Sequence, residues 1–293
     1  GDWSSDVCSS DLGYVPRVEG VSLPERHLGL VTARESVADS QTWQNFAALL
    51  ERTLDIEQLL ALSQMASLPQ GAWPALPDGD AGRGLTLAMA DDDAFNFYYP
   101  DNIMLLERTG VEIIRFSPLR ESRLPDCQMV WLGGGYPELY AARLAENTTM
   151  LASLQEAHRR GVAIYAECGG LMYLGSALED SEGVTHRMAD ILPGYSRMGK
   201  RLTRFGYCEA QTRQPTLLAD SGEVLRGHEF HYSDFFPDTP AVLACRKVRD
   251  GVTMQDWAGG WQVGNTFASY LHLHFAQRPM MLSRWLAAAR GAR

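Results

Sequence analysis

The run Ala163-Ile164-Tyr165-Ala166-Glu167-Cys168-Gly169-Gly170-Leu171 sets a thiol directly after a short apolar, β-type segment. Two glycines and a helix-forming stretch follow. This strand–Cys–Gly–helix order lifts a sulfur onto a tight turn and aims the first N–H groups of the helix at it. Such donors stabilise a thiolate and, later, an oxyanion. The G-x-S-x-G elbow of serine hydrolases has the same geometry with a hydroxyl. Most buried cysteines are inert small hydrophobes, and Cys127, Cys208 and Cys245 read that way because they lack such a turn.

A second feature adds to the first. Gly133-Gly134-Gly135-Tyr136-Pro137-Glu138 follows the apolar segment ending at Leu132. Three glycines at a strand end let backbone approach a ligand and turn N–H groups inward. Gly134, Gly135 and Gly169 are therefore expected to form an oxyanion hole. A glycine triplet alone is also compatible with an ordinary strand-to-helix loop. A thiol needs a base as well, and Ala268-Ser269-Tyr270-Leu271-His272-Leu273-His274-Phe275 offers two imidazoles. On one strand His272 and His274 share a face. A histidine near Cys168 would take its proton and return it to a leaving amine. Alone, the pair reads equally as two structural histidines.

Three further clusters are weaker. Arg226-Gly227-His228-Glu229-Phe230-His231-Tyr232 has the alternation of a half-exposed strand, with His228 and Phe230 on one face and Glu229 and His231 on the other. Asp91, Asp92 and Asp93 at a strand end read as a solvated loop and helix start, and no metal is assigned to them. Gly194-Tyr195-Ser196-Arg197-Met198-Gly199-Lys200-Arg201 nearly fits G-x-x-x-x-G-K-[ST]. Its last position is Arg, which has no hydroxyl for Mg²⁺, so it is rejected as a phosphate loop.

The elements that must position these residues follow from periodicity. Residues 40–64 read as helical, with Trp43, Phe46, Leu50 and Leu54 at helical spacing. Residues 66–84 are rich in Gly and Pro, which marks a linker. From residue 85 strands and helices alternate: strands at 85–90, 112–116, 127–132 and 163–167, helices at 101–109 and across 138–160 with a break near 146–148. β-α-β alternation with buried strands implies a parallel sheet covered by helices, with ligands beyond the strands' carboxyl ends. Strands are then expected at 206–212, 228–234 and 266–275, and a last helix at 280–289.

Composition bounds the rest. The chain has 293 residues, 45% hydrophobic and 21% charged, which suits one large or two ordinary globular domains. A net charge of −10 argues against a general nucleic-acid binder. No run approaches the roughly 20 apolar residues of a membrane span. Five widely spaced cysteines without C-x-x-C argue against a disulfide framework or zinc site and fit a reducing cytoplasm. Residues 1–12, GDWSSDVCSSDL, are expected to be a non-native, adaptor-like scar, so the natural chain is expected to be longer.

Taken together, DDAFNFYYPDN, LGGGYPE, AECGGLMYL, RGHEFHYS and ASYLHLHF, in that order along the chain, resemble the cobyrinic acid a,c-diamide synthase family. The resemblance implies an α/β fold of the class I glutamine amidotransferase (flavodoxin-like) type, a mixed, largely parallel sheet with helices on both faces. It implies that residues 13–65, through PERHLGL, are the C-terminal remnant of a P-loop, dethiobiotin-synthetase-like ATPase domain. Residues 66–84 are then the linker and 85–293 the amidotransferase domain. By motif, Cys168 is the nucleophile and His272 its base. Many class I members have H-x-E, but the last position here is His274, so the group supporting His272 stays open among His274, Glu229 and Glu167. The implied partners are glutamine, a corrinoid substrate amidated at its a and c carboxylates, and the missing ATPase domain. ATP and Mg²⁺ are the cofactors of the full-length protein, and the phosphate loop is absent here, so this chain is expected to be a glutaminase at most. Alternatives are the same chemistry on hydrogenobyrinic acid or nickel-sirohydrochlorin, a stand-alone cysteine hydrolase of the same fold, and a non-catalytic interaction module.

Overall fold

Leu87 and Met89 face one way along their strand, and Ala88 and Ala90 the other, and all four are fully buried. A strand packed on both sides needs a layer on each face, and that three-layer arrangement organises most of the molecule. The computed structural model describes residues 12–17, 25–26, 29–30, 40–65 and 79–291. The chain divides into two units, Gly1–Trp73 and Pro74–Arg293. Residues 1–11 of the expected scar, 66–78 of the expected linker, and part of PERHLGL lie outside the described residues.

The first unit holds a two-stranded antiparallel hairpin, β1 (Glu25–Arg26) and β2 (Gly29–Leu30), and the helices α1 (Ser40–Thr53) and α2 (Ile56–Met65). The periodicity of 40–64 reads as one helical stretch, but it is broken at Leu54–Asp55. Leu54 bridges Gly13, and the Asp55 carboxylate accepts from the Gln58 N–H at 2.9 Å, which starts a new helix there.

In the second unit β3 (Thr86–Ala90), α3 (Pro100–Arg108), β4 (Glu112–Phe116), β5 (Met129–Leu132), α4 (Ala141–Glu146), α5 (Thr148–Arg159), β6 (Ala163–Glu167) and α6 (Gly169–Leu174) alternate. The remaining elements are β7 (Ala177–Glu179), β8 (Thr185–Arg187), β9 (Gly194–Met198), β10 (Arg204–Thr212), β11 (Val224–His231), β12 (Ser233–Pro237), β13 (Leu243–Arg249), β14 (Val252–Gly259), β15 (Trp261–Val263), β16 (Thr266–Ser269), β17 (His272–Leu273) and α7 (Met280–Arg290). A six-stranded sheet runs β15-β16-β6-β5-β3-β4, parallel except for the edge strand β15. Apolar side chains of α4, α5 and α6 pack on one face, and those of α3 and α7 on the other. This is the α/β, largely parallel architecture with helices on both faces that the sequence leads one to expect. A five-stranded antiparallel sheet, β14-β13-β10-β11-β17, and a four-stranded one, β12-β9-β7-β8, complete the unit.

Two strand expectations need correction. The segment 228–234 is not one strand: β11 ends at His231, and Ser233 begins β12 in a different sheet. The segment 266–275 is likewise divided. β16 pairs with β6 in the parallel sheet, the chain turns at Tyr270–Leu271, and β17 pairs with β11 in the antiparallel sheet. Asp92 is also not solvated. It is fully buried and accepts hydrogen bonds from Ala94 N, Ser117 Oγ and Leu119 N, so it ties the loop after β3 to the loop after β4. The near-match to a phosphate loop begins in β9, an inner strand between β12 and β7. Its residues do not form the glycine-rich turn into a helix that cradles phosphate.

Candidate active site

Cys168 follows β6 with φ 48° and ψ −102°, a conformation that costs a non-glycine residue about 1–3 kcal/mol. The turn is held from three sides. Its N–H donates to Ser269 O at 2.8 Å, its carbonyl accepts from Met172 N at 3.2 Å, and Gly170 N donates to Gly133 O at 3.0 Å. The last bond joins the elbow to the glycine loop after β5. A Cβ placed on Gly169 would lie 3.1 Å from Gly135 N, so the two backbones meet without room for a side chain. The Gly134 carbonyl accepts from Asn96 N and Phe97 N, each at 3.0 Å, and Gly134 forms an antiparallel bridge with Phe97.

The glycine loop is fixed from outside by Tyr98, whose hydroxyl donates to Ala90 O and accepts from Gly133 N at 2.8 Å. Burial raises the Tyr98 phenol well above its ordinary value, so it stays a donor. Gly134 sits against the catalytic candidate from the other sheet: a Cβ there would come within 2.5 Å of His272 Cε1.

His272 is 8% exposed. Its Nδ1 lies 3.7 Å from Glu167 Oε2, an ion-pair contact rather than a hydrogen bond, and the Cys168 side chain is the other group that interacts with the ring. Desolvation by itself lowers the imidazole's pKa. The interactions with Cys168 and Glu167 outweigh it, and the net shift is upward, towards imidazolium. The His228 ring stacks on His272 with centroids 4.8 Å apart and 16° between planes. His228 shifts the opposite way, through burial first and then the positive neighbour His272. The Tyr99 hydroxyl and His228 Nδ1 are 2.9 Å apart.

Of the three groups considered as support for His272, the structure brings one to it. Glu167 is 1% exposed and faces the ring. His274 turns instead to Asp101, 3.3 Å from its Nε2, and to the ring of Tyr99. Glu229 is buried beside His231 Nε2 at 3.4 Å, in the wall of a cavity of about 340 Å³ that Arg204 and Tyr270 also line. A larger groove, about 900 Å³ between residues 122–127 and α5, contains none of these residues. Cys127 and Cys208 are buried thiols pushed up to about 11 and about 12 by desolvation, and Cys245 is shifted up as well, so all three fit the inert reading.

Sequence reasoning did not single out Asn102. This fully buried side chain donates to Leu273 O and accepts from Phe275 N, each at 2.7 Å, and so clamps the backbone on both sides of His274. Tyr98 and Tyr99 were visible only as part of the block DDAFNFYYPDN. Their partners lie far away in sequence, and no local pattern marks them.

Residues 86–280 match the CobB/CobQ-like glutamine amidotransferase domain. The chain is 72% identical over 279 residues to the cobyrinate a,c-diamide synthase of Salmonella typhimurium, covering 95% of this chain and 61% of that protein. It is 44% identical over 277 residues to the protein of that name from Listeria monocytogenes, covering 94% of this chain and again 61% of the relative. The solved structure of PurLQS from Thermotoga maritima aligns with a TM-score of 0.46 at 16% identity, over 71% of this chain and 98% of that one. The chain thus spans about three fifths of the length of the curated relatives it matches. With a matching domain that spans about two thirds of its residues, the chain belongs to the CobB/CobQ-like glutamine amidotransferase family.

Proposed function

We propose that this chain is the glutamine-hydrolysing part of an amidoligase that amidates the a and c carboxylates of cobyrinic acid in cobalamin synthesis. Residues 85–293 carry the glutaminase, and residues 13–65 belong to the ATP-dependent synthetase part. One observation carries the reading: a strained Cys168 turn lies beside His272 and against the glycine loop after β5. The substrate assignment rests on the relatives named cobyrinate a,c-diamide synthase.

The chemistry runs as follows. Cys168 Sγ attacks the side-chain amide carbon of glutamine. The carbonyl oxygen becomes an oxyanion that the N–H groups of Gly134, Gly135 and Gly169 can receive, each such donor worth about 3 kcal/mol of barrier. The His272 imidazolium gives its proton to the leaving nitrogen, ammonia departs and a glutamyl thioester remains. His272, now neutral, takes a proton from water as the water attacks the thioester, and glutamate leaves with the thiolate restored. Activation of the accepting carboxylate by ATP and Mg²⁺ belongs to the rest of the full-length enzyme, since no described residues of this chain form a phosphate loop.

The test is hydrolysis of glutamine together with labelling by 6-diazo-5-oxo-L-norleucine. The expected outcome is release of glutamate and ammonia and a single label on Cys168, with Cys168→Ser slower by a factor on the order of 10⁶. Hydrolysis that survives Cys168→Ser, or a label on another cysteine, overturns the proposal.

A further inference from the structure

Resting on that reading, we infer that Glu167 is the positioning residue for His272, taking from the nucleophile's own strand the place that a carboxylate two residues after the histidine takes in H-x-E sequences. The position after next is His274 here, and it is occupied with Asp101. Glu229 is occupied with His231. Glu167 is the remaining buried carboxylate at the ring among the described residues.

Its two oxygens divide the work. Oε1 is filled: it accepts from the Tyr165 hydroxyl and from the Leu273 N–H at 3.1 Å. The second of these bonds comes from the residue next to His272, so the carboxylate holds the backbone that carries the imidazole. Oε2 is then left to face Nδ1. Burial keeps the Tyr165 hydroxyl protonated, so it remains a donor to that carboxylate. A carboxylate at Nδ1 fixes which nitrogen carries the proton, holds the ring's orientation and stabilises the imidazolium.

The backbone conformation of Cys168 now has a specific cause. On a regular strand, residues 167 and 168 point to opposite faces. The positive φ of 48° at Cys168 breaks that alternation. It lets the carboxylate and the sulfur of consecutive residues converge on one imidazole. His272 is thus bounded by Cys168, by Glu167 at Nδ1 and by the face of His228, with Tyr99 bonded to His228 behind it. At 3.7 Å, Oε2 stands within ion-pair range of Nδ1.

The experiment compares Glu167→Gln, Tyr165→Phe and His274→Ala in this chain. The readouts are kcat and KM for glutamine, the pH profile of kcat, and the NMR titration of ring-labelled His272. Glu167→Gln should lower kcat by about 10²–10⁴-fold with little change in KM, and should move the His272 midpoint down. His274→Ala should leave both near those of the unsubstituted chain. A folded Glu167→Gln protein with unchanged kcat and an unchanged His272 midpoint overturns the inference. So does one whose melting temperature falls while the midpoint stays fixed, because that marks a purely structural acid. If Glu167→Gln does not fold, Tyr165→Phe keeps the carboxylate but frees Oε1. It should lower kcat by a smaller factor and displace the midpoint, and no change in either overturns the inference. If the unsubstituted chain neither hydrolyses glutamine nor labels at Cys168, the functional reading fails, while the NMR midpoint still tests Glu167 directly.

Discussion

The two larger sheets of the second unit meet water on very different terms. In the parallel sheet every residue of β5 and β6 is buried, and helices cover both faces. In the antiparallel sheet β10 and β11 bury alternate residues only, and most of β14 is exposed. Cys168 is mounted on the first sheet and His272 on the second. A strained turn survives where the surrounding structure over-determines it, and the buried sheet supplies that support. The histidine stands on a strand of two residues, too short to be placed by pairing alone. Hydrogen bonds that Glu167 accepts from Leu273 N–H, and that Asn102 donates to Leu273 O and accepts from Phe275 N–H, place it instead. One half of the site is positioned by packing, the other by polar clamps.

The strongest way to break that contrast is to disturb the point where the sheets touch. Gly134→Ala would put a Cβ 2.5 Å from His272 Cε1. The loop is tied to Tyr98 and Gly170, so the imidazole is the part that yields. A misplaced catalytic group by about 1 Å can cost about 10²-fold in rate. We expect a loss of that order in kcat for glutamine hydrolysis, with thermal unfolding little changed. If unfolding shifts strongly and the rate does not, packing holds the histidine after all.

The same contrast decides how much was legible in the sequence. β4 and β6 have the bounds read from the sequence: β6, buried throughout, appears as an apolar run, and β4, at the sheet edge with Glu112 and Arg115 exposed, shows through Ile113, Ile114 and Phe116. The elbow was legible for the same reason, since a thiol between such a run and two glycines has few other conformations. The antiparallel part was harder. Segments 228–234 and 266–275 look continuous, and the chain changes sheets inside each without a glycine or proline at the switch. Asp92 shows a related limit: an acid between two other acids reads as solvent-facing, yet its partners are Ser117 and Leu119, supplied by another loop. Asn102 has partners 171 and 173 residues away, which no local spacing announces.

A smaller effect separates the two stacked imidazoles by sign. The native pKa of His272 is raised, so the folded state holds its proton more tightly than the unfolded chain does. The resulting stability is fully present below the unfolded value, about 6.5, and is lost as pH rises through the raised native value. His228 is shifted down, so its stability contribution is present above about 6.5 and lost as pH falls, when the unfolded chain takes up a proton that the native site resists. Urea unfolding of His272→Gln and His228→Gln between pH 5 and pH 9 should show opposite trends. The deficit of His272→Gln relative to the unsubstituted chain should narrow toward alkaline pH, and that of His228→Gln should narrow toward acid. Parallel trends would mean that the two rings do not hold opposite charge states.

The smallest effect is expected on the open face of the antiparallel sheet. Tyr207 is 82% exposed and its ring centroid lies 6.1 Å from that of His228. It covers no core, so Tyr207→Ala removes little apolar area from a protected position, and the change in unfolding free energy should stay within about 0.5 kcal/mol. Its neighbour His228 is already held by Tyr99 and by the stack on His272, so glutamine hydrolysis should stay near the unsubstituted rate. A marked loss of stability would show that the open face is packed more tightly than its exposure implies. A marked loss of rate with stability intact would show that orientation of the histidine pair extends outward through Tyr207, and the polar clamps alone would no longer account for where His272 stands.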